Sequence, residues 1–327
     1  MRLGGLIVDP VDGVQGGEVF WDDGVITRVE LDATVDGGPY IFPGFVDVQI
    51  YAFERAVEDG ITGYLATVGT SAPGVVDRFL AELPDDPACL GAHVEGPYLN
   101  PDKAGAQALE HIRPVDPDEL AGWLATGRVR IVTLAPEVEG GFGAIERIQD
   151  AGAIPSLGHT AANYYTTRAA IDAGATFATH LWNAMSGFTA RTPGAIGTLL
   201  ADERVTLGLI GDGRHLHPVT EELTVRAAGP GRIALVSDLV VPPQERPDGR
   251  LLGGSRRGAG IVKRFAERFG LPEAARMASL TPALALGFAD RGRVAPGFRA
   301  DLAVLYPGFE PHMTIVAGTI LWSRESR

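Results

Sequence analysis

Four residues that could carry out metal chemistry each end a short apolar run of the sequence. Glu95, His159, His180 and Asp238 stand at or just after the carboxyl ends of four such runs. One carboxylate and two imidazoles can share a divalent metal ion and leave a coordination position open for water. A second carboxylate nearby can take a proton from that water, whose acidity the metal raises. The four residues together predict a metal-dependent hydrolase.

Each of these residues taken alone has a simpler explanation. A single histidine at a strand end more often makes a structural hydrogen bond than a metal bond. Glu95 could be a surface carboxylate, and Asp238 could cap a following helix. The four together favour the metal site, because glycine, proline, asparagine or threonine lies close to each strand end.

The surrounding pattern predicts the frame that would bring the four residues together. From about residue 41, short apolar runs alternate with segments of helical periodicity, and we count eight runs. Apolar runs separated by helices are typical of a parallel sheet covered on its outer face. Eight such units predict an α/β protein with a (β/α)8 TIM-like barrel, whose active site forms at the carboxyl ends of the strands. A doubly wound open sheet is the alternative fold.

The two ends of the chain differ from this pattern. Residues 3–30 alternate apolar and polar positions between turn residues, and residues 292–322 return to short strands. We therefore expect residues 1–40 and 292–327 to pair into a small β-sandwich domain. Residues 41–291 would form the hydrolase barrel.

Composition excludes several classes of partner. The chain has 327 residues and a formal net charge of −13, whereas nucleic-acid binding requires a basic surface. Its single cysteine excludes an internal disulfide and suits the reducing cytoplasm. There is no signal-peptide pattern, and no stretch approaches the roughly 18 apolar residues of a membrane span. We expect a cytoplasmic protein that contacts neither nucleic acid nor membrane.

Several strings of the sequence resemble one family. The strings His-x-Glu-Gly-Pro at 93–97 and His-Leu-x-Asn-Ala-Met at 180–185 are specific to it among amidohydrolases. Further matching strings lie at 43–49, 158–160, 211–215, 236–238 and 293–302. On these residues the chain resembles the N-acetylglucosamine-6-phosphate deacetylase family of the amidohydrolase superfamily along almost its whole length.

The resemblance implies a reaction and a catalytic role for the four strand-end residues. The expected substrate is a small amino-sugar phosphate, N-acetylglucosamine 6-phosphate, whose acetamide is hydrolysed to glucosamine 6-phosphate and acetate. Glu95, His159 and His180 would bind the catalytic metal. Asp238 would act first as general base and then as general acid.

The resemblance also implies substrate contacts. Asn183, Ala184 and Met185 would line the sugar pocket, and His215 would either polarise the acetamide carbonyl or contact the phosphate. Arg191 by itself would be a solvated loop charge. It matches a position that reaches the phosphate site of a neighbouring subunit, which implies a homodimer and supplies a local cation for an anionic substrate.

The end of the first predicted barrel strand departs from most amidohydrolases. They carry His-x-His there, which helps to hold a second metal, whereas this chain has Gln49-Ile50-Tyr51. An amide is a poor zinc ligand and a phenol is an unusual one, so we expect one divalent ion per subunit. Zinc is the first choice, and iron, cobalt and manganese accept the same ligands. Gln49 would hydrogen bond the metal-bound water, and His93 would lie either beside the ligands or simply in the core.

Three further departures concern the walls of the substrate pocket. Gln107 stands where the family usually has histidine, which changes a substrate-binding contact. Only residues 51–62 join the first two barrel strands, and only residues 239–252 join Asp238 to the next helix, where the family has longer segments.

These departures leave two alternative functions open: a deacylase of another N-acyl amino sugar or small amide, and a sugar-phosphate-binding paralogue with little turnover. The presence of Asp238 argues against the second, because binding alone needs no base.

Overall fold

The computed structural model describes residues 1–242, 244–245 and 251–326 of the chain. Most of its strands belong to a parallel sheet from the middle of the chain or to a mostly antiparallel sheet from the two ends. In chain order the strands are β1 (Arg2–Asp9), β2 (Gly13–Asp22), β3 (Val25–Leu31), β4 (Tyr40–Pro43), β5 (Phe45–Ile50), β6 (Ile61–Val68), β7 (Cys89–Glu95), β8 (Val129–Leu134), β9 (Ile154–Leu157), β10 (Phe177–Ala178), β11 (Thr206–Ile210), β12 (Ile233–Val236), β13 (Gln244–Glu245), β14 (Leu251–Leu252), β15 (Leu302–Leu305), β16 (Pro311–Val316) and β17 (Thr319–Ser323).

Strands β5 to β12 form the barrel. In the described part of the chain each of these eight strands is hydrogen bonded to the next in chain order, and every pair is parallel. A doubly wound sheet would instead reverse its strand order partway along. The barrel prediction is therefore confirmed, and the doubly wound alternative is wrong. Most residues of these strands are buried, which is why they appear in the sequence as continuous apolar runs.

Helices cover the outer face of the barrel. They are α1 (Val75–Ala81), α2 (Pro117–Ala125), α3 (Gly141–Asp150), α4 (Tyr164–Asp172), α5 (Gly194–Ala201), α6 (Pro218–Ala228), α7 (Gly258–Phe269), α8 (Leu271–Ala275) and α9 (Thr281–Ala285). The side chains of Asp116 and Asn163 cap α2 and α4 by accepting hydrogen bonds from backbone amides of the first turn. Helix α3 buries Ala144, Ile145 and Ile148 along one stripe, the pattern of a helix packed on a core. Among the described residues, none of the helices has the length and apolar character that a membrane span requires.

The first strand–helix unit of the barrel is shortened, as the sequence predicts. Between β5 and β6 every residue is described, and the stretch contains a 3-10 turn, Ala56–Asp59, in place of an α-helix. Phe53 stacks on Tyr64 of β6, with ring centroids 5.5 Å apart and planes inclined by 16°. This short connection thus still packs against the barrel wall.

The barrel closes between its first and last strands, β5 and β12. The backbone nitrogen of Asp238 donates to the carbonyl oxygen of Gln49 at 2.8 Å, and that of Tyr51 donates to the carbonyl oxygen of Leu239 at 3.1 Å. Further into the seam, the backbone nitrogen of Ser237 lies 3.2 Å from both carboxylate oxygens of the buried Asp47. Closure therefore involves residues at the carboxyl ends of the strands, where a barrel active site forms.

The two ends of the chain form the second sheet. Its described strands lie in the order β17, β16, β15, β4, β1, β2 and β3, with β1 and β4 parallel and the other neighbours antiparallel. The Nε1 atom of Trp21 donates to the carbonyl oxygen of Gly318 at 3.0 Å, and Arg293 forms an ion pair with Asp9 at 2.9 Å. These contacts join residues from opposite ends of the chain. The limits of the small domain at residues 40 and 292 stay a prediction.

Candidate active site

The four strand-end residues meet at one edge of the barrel. Glu95 is the last residue of β7, and His159, His180 and Asp238 each lie two positions beyond the end of their strands. All four are buried, with exposed fractions between 1% and 7%. Parallel strands place their carboxyl ends at the same edge, so residues far apart in the chain become neighbours.

The backbone is strained at three of these residues. The φ angle is +48° at His159, +33° at His180 and +49° at Asp238. Residues with a Cβ rarely adopt this left-handed region. Each such position costs about 1–3 kcal/mol, so it persists only where the surrounding structure enforces it. Strain of this kind concentrates at functional sites. Here it marks the three residues that follow strand ends.

Glu95, His159 and His180 form a compact group of potential metal ligands. The Oε1 atom of Glu95 lies 2.8 Å from Nε2 of His159 and 2.9 Å from Nε2 of His180. The two Nε2 atoms are 3.2 Å apart, and the ring planes are inclined by 78°. One ligand atom from each residue can therefore point at a common centre, with all three atoms within 4.8 Å of one another.

The hydrogen bonding of His159 fits a cation at this centre. Its Nδ1 atom lies 2.8 Å from the carbonyl oxygen of Lys103, which can only accept, so Nδ1 carries the proton. In the neutral ring Nε2 then presents a lone pair to the carboxylate of Glu95, and two electron-rich atoms this close need positive charge between them. The Nδ1 atom of His180 has no partner among the described residues. A divalent ion held by one carboxylate oxygen and two imidazole nitrogens would meet this requirement.

The two carboxylates of the site differ in their pKa shifts. Burial would raise the pKa of Glu95, but its contacts with His159 and His180 outweigh burial and hold that pKa well below the usual value. Burial raises the pKa of Asp238 well above its usual value, and the charge of Glu95 raises it further. One carboxyl group therefore stays ionised, as a ligand must, while the other can hold a proton.

Gln49 connects the two carboxylates. Its Nε2 atom lies 3.1 Å from Oε2 of Glu95 and 3.0 Å from Oδ1 of Asp238. Its Oε1 atom is buried and has no partner among the described residues. The expected contact between Gln49 and a water of the site stays a prediction.

Tyr51 is hydrogen bonded within the site, a contact that its residue type alone did not predict. Its hydroxyl group donates to Oε2 of Glu95. The Nε2 atom of Gln107 lies 3.2 Å from that hydroxyl oxygen, and Oε1 of Gln107 accepts from the backbone nitrogen of Thr70 at 2.8 Å. The phenol, which the sequence marked only as an unusual ligand, thus contacts the candidate ligand Glu95 instead.

A cavity of about 780 Å³ opens onto this cluster, a volume suited to a small molecule. Its walls include Glu95, His159, His180 and Asp238 together with five residues expected to contact substrate, namely Gln107, Asn183, Ala184, Met185 and His215. Lys103 and Arg214 also line it and bring positive charge. The barrel therefore brings most of the expected site residues to one cavity.

Two expected site residues lie elsewhere. Arg191 is exposed, and among the described residues it does not line the cavity of its own chain. His93 is fully buried inside the barrel, with Nδ1 2.8 Å from the carbonyl oxygen of Val48 and Nε2 2.6 Å from Oγ1 of Thr133. Both ring nitrogens of His93 are thus engaged within the protein. The roles assigned to Arg191 and His93 stay predictions.

Asp212 and Ser255 orient His215 in the cavity. The Oδ2 atom of Asp212 lies 3.0 Å from Nδ1 of His215 and accepts from the hydroxyl group of Ser255 at 3.0 Å. With Nδ1 engaged, Nε2 of His215 is the nitrogen left for a substrate. The sequence gave a signal for Asp212, which lies three positions before His215, but none for Ser255.

Known proteins resemble the chain in sequence. Residues 255–321 match the model of the Amidohydrolase family. The chain is 32% identical to the N-acetylglucosamine-6-phosphate deacetylase of Bacillus subtilis (strain 168), over 96% of this chain and 95% of that protein. It is 30% identical to the N-acetylgalactosamine-6-phosphate deacetylase of Escherichia coli O157:H7, over 91% of this chain and 93% of that protein.

Solved structures of known proteins also resemble the chain in fold. The N-acetylglucosamine-6-phosphate deacetylase of Thermotoga maritima superposes with a TM-score of 0.89 at 28% identity, over 99% of this chain and 100% of that chain. A point mutant of the N-acetyl-D-glucosamine-6-phosphate deacetylase of Mycobacterium smegmatis, in complex with N-acetyl-D-glucosamine-6-phosphate, gives a TM-score of 0.88 at 28% identity, over 98% of each chain. With its barrel, its ligand cluster and this similarity over nearly its full length, the chain belongs to the N-acetylglucosamine-6-phosphate deacetylase family of metal-dependent amidohydrolases.

Proposed function

We propose that the protein hydrolyses the acetamide of N-acetylglucosamine 6-phosphate to glucosamine 6-phosphate and acetate. The observation that carries this proposal is the cluster of Glu95, His159 and His180 at a cavity that Asp238 also lines. The three ligands would hold one divalent ion per subunit, with zinc as the first choice. When bound, this ion would make a water acidic and polarise an amide carbonyl. The amide and phenol side chains of Gln49 and Tyr51 support one ion rather than two.

Asp238 is placed to move the proton of the reaction. It lines the cavity beside the ligand cluster, and Gln49 holds its Oδ1 atom at 3.0 Å. We infer that Asp238 accepts a proton from the attacking water and then returns it to the amine nitrogen as the amide bond breaks. The same side chain would thus serve as base and then as acid.

The cavity walls support an N-acetylated sugar as the substrate. Asn183, Ala184 and Met185 would contact the sugar ring from the loop that follows His180. His215 would present Nε2 either to the acetamide carbonyl oxygen or to the phosphate. Both roles require an imidazole of fixed orientation, which its contact with Asp212 supports.

The positive charge for the phosphate would come from two subunits. Lys103 and Arg214 line the cavity of their own chain. Arg191, exposed on the loop before α5, would reach the cavity of the neighbouring subunit in a homodimer. Charge-assisted contacts with phosphate are among the strongest hydrogen bonds in proteins, so a few cations suffice despite the net charge of −13. The single cysteine supports a cytoplasmic location.

The contacts of Gln107 support an alternative substrate. Both polar groups of its side chain are engaged within the protein, one by Thr70 and the other by Tyr51. It therefore has less capacity to bind a substrate than a free imidazole at that position would have. A deacylase for a different N-acyl amino sugar fits this observation.

Acetate release distinguishes these functions. We would compare kcat/KM for N-acetylglucosamine 6-phosphate, N-acetylgalactosamine 6-phosphate and unphosphorylated N-acetylglucosamine. The proposal expects the first to be the best substrate and the phosphate to raise kcat/KM by at least about 10- to 150-fold, the value of a single charged hydrogen bond. Equal rates with and without phosphate would favour another amide substrate. Binding without hydrolysis would favour a sugar-phosphate-binding paralogue.

A further inference from the structure

The two carboxylate oxygens of Glu95 have separate sets of partners. Oε1 faces the Nε2 atoms of His159 and His180. Oε2 accepts one hydrogen bond from Nε2 of Gln49, at 3.1 Å, and another from the hydroxyl group of Tyr51. A carboxylate oxygen has two lone pairs, and the two donors occupy both of them on Oε2. Oε1 alone is left for a cation.

Gln107 determines the direction of the Tyr51 hydroxyl group. The backbone nitrogen of Thr70 donates to Oε1 of Gln107 at 2.8 Å, which sets the orientation of the side-chain amide. Nε2 of Gln107, which can only donate, then lies 3.2 Å from the hydroxyl oxygen of Tyr51. Because that oxygen already accepts a hydrogen bond, its own proton is directed to Glu95.

Close packing keeps Tyr51 and Gln107 in this arrangement. A Cβ atom at position 69 would lie 2.9 Å from Oε1 of Gln107 and 3.4 Å from the hydroxyl oxygen of Tyr51, so glycine permits the approach. The backbone nitrogen of Tyr51 is held by the carbonyl oxygen of Leu239 across the barrel seam. Both ends of Tyr51 are thus restrained.

We propose that Tyr51, oriented by Gln107, is a positioning residue. It restrains Oε2 of Glu95, so that Glu95 binds the metal ion through Oε1 alone. The proposal rests on the metal site inferred above. Without the hydroxyl group, Oε2 would lose a donor and could turn toward a bound ion. Binding through both oxygens would then raise the coordination number of that ion. Partners that hydrogen bond a ligating carboxylate typically change metal affinity 10- to 100-fold when they are removed.

Cobalt(II) is a suitable probe, because its visible absorption is intense in four- or five-coordinate sites and weak in six-coordinate ones. We would load the metal-free protein with cobalt(II) and compare the wild type with Tyr51→Phe. We expect weaker visible absorption in Tyr51→Phe and an affinity about 10- to 100-fold lower, measured by competition with a chelator. Tyr98→Phe is the matched control, since that buried phenol also donates to a carboxylate, Glu119 at 2.8 Å, but does not line the cavity.

A second variant covers the case in which Tyr51→Phe does not fold. Gln107→Met retains Tyr51 and removes the amide that orients it, so a smaller change in the same direction is expected. An unchanged cobalt spectrum and affinity in folded Tyr51→Phe, or in Gln107→Met if the first variant does not fold, would overturn the positioning role. Failure of the wild type to bind cobalt would overturn the metal site itself, which is a different result.

Discussion

Gln49 and Asp238 are joined twice across the seam of the barrel. The backbone nitrogen of Asp238 donates to the carbonyl oxygen of Gln49 at 2.8 Å, and the side-chain amide of Gln49 donates to Oδ1 of Asp238 at 3.0 Å. The first bond links the ends of the first and last strands, and the second orients the carboxylate that we propose as acid and base. Stability and catalysis should therefore respond together when this contact is changed.

Replacing Gln49 with methionine should weaken both the fold and the site. The variant loses two hydrogen bonds to carboxylates, so the free energy of unfolding of the metal-free protein should fall by about 3 kcal/mol. Urea unfolding measures this change. Gln15→Met is the control, because among the described residues the side chain of Gln15 makes only an exposed 3.4 Å contact with the carbonyl oxygen of Asp12. Equal losses of stability in the two variants would contradict the bridging role of Gln49.

Asp238→Asn should separate metal binding from proton transfer. Asparagine can still accept the hydrogen bond of Gln49 but cannot take up a proton, so metal content should be retained while kcat falls about 10²- to 10⁴-fold. Metal analysis and acetate release measure the two effects. Asp172→Asn, which changes an exposed ion pair with Arg204, should leave both unchanged. Wild-type kcat in Asp238→Asn would remove Asp238 from the reaction.

Asp47 should make stability depend on pH in an unusual direction. Burial raises the pKa of Asp47 from 3.8 to about 6, and the hydrogen bonds from Ser237 and Gln49 only partly oppose it. The folded protein then binds the proton more tightly than the unfolded chain, so this group's contribution to stability is largest below pH 3.8 and is lost as pH rises through 6.

To isolate the contribution of Asp47, we would compare the free energy of unfolding of the wild type with that of Asp47→Asn. Because asparagine does not titrate, the difference should move against the wild type by about 2 kcal/mol between pH 4 and pH 7. Urea unfolding at a series of pH values gives this difference directly. Parallel stability curves for the two proteins would show that Asp47 has an ordinary pKa.

Arg191→Ala should affect phosphate recognition between subunits. Loss of one charge-assisted phosphate contact costs about 1.5–3 kcal/mol, or roughly 10- to 150-fold in kcat/KM for the phosphorylated sugar. The unphosphorylated sugar should show no such loss. Arg226→Ala provides a control, because Arg226 is also exposed and pairs with Glu222 at 2.6 Å on α6. An unchanged kcat/KM for the phosphorylated sugar, or a monomer in analytical ultracentrifugation, would remove Arg191 from the site.

Local sequence pattern was enough to find the four residues that meet at the candidate site. Glu95, His159, His180 and Asp238 could be found from the ends of apolar runs, because parallel strands bring their carboxyl ends to one edge. The barrel itself followed from runs that are apolar on both faces and separated by helical segments. The shortened first unit needed only a count of the residues between two runs.

The contacts that orient these groups came only from the assembled barrel. Tyr51 appeared in the sequence as an unusual ligand and Gln107 as a changed substrate contact, whereas the structure joins Gln107 to Tyr51 and Tyr51 to Glu95. Asp212 was visible near His215, but its hydrogen bond to that ring was not. Periodicity records which face of a strand or helix is buried. The choice of hydrogen-bond partner depends on distances between side chains far apart in the chain, and only tertiary packing sets those distances.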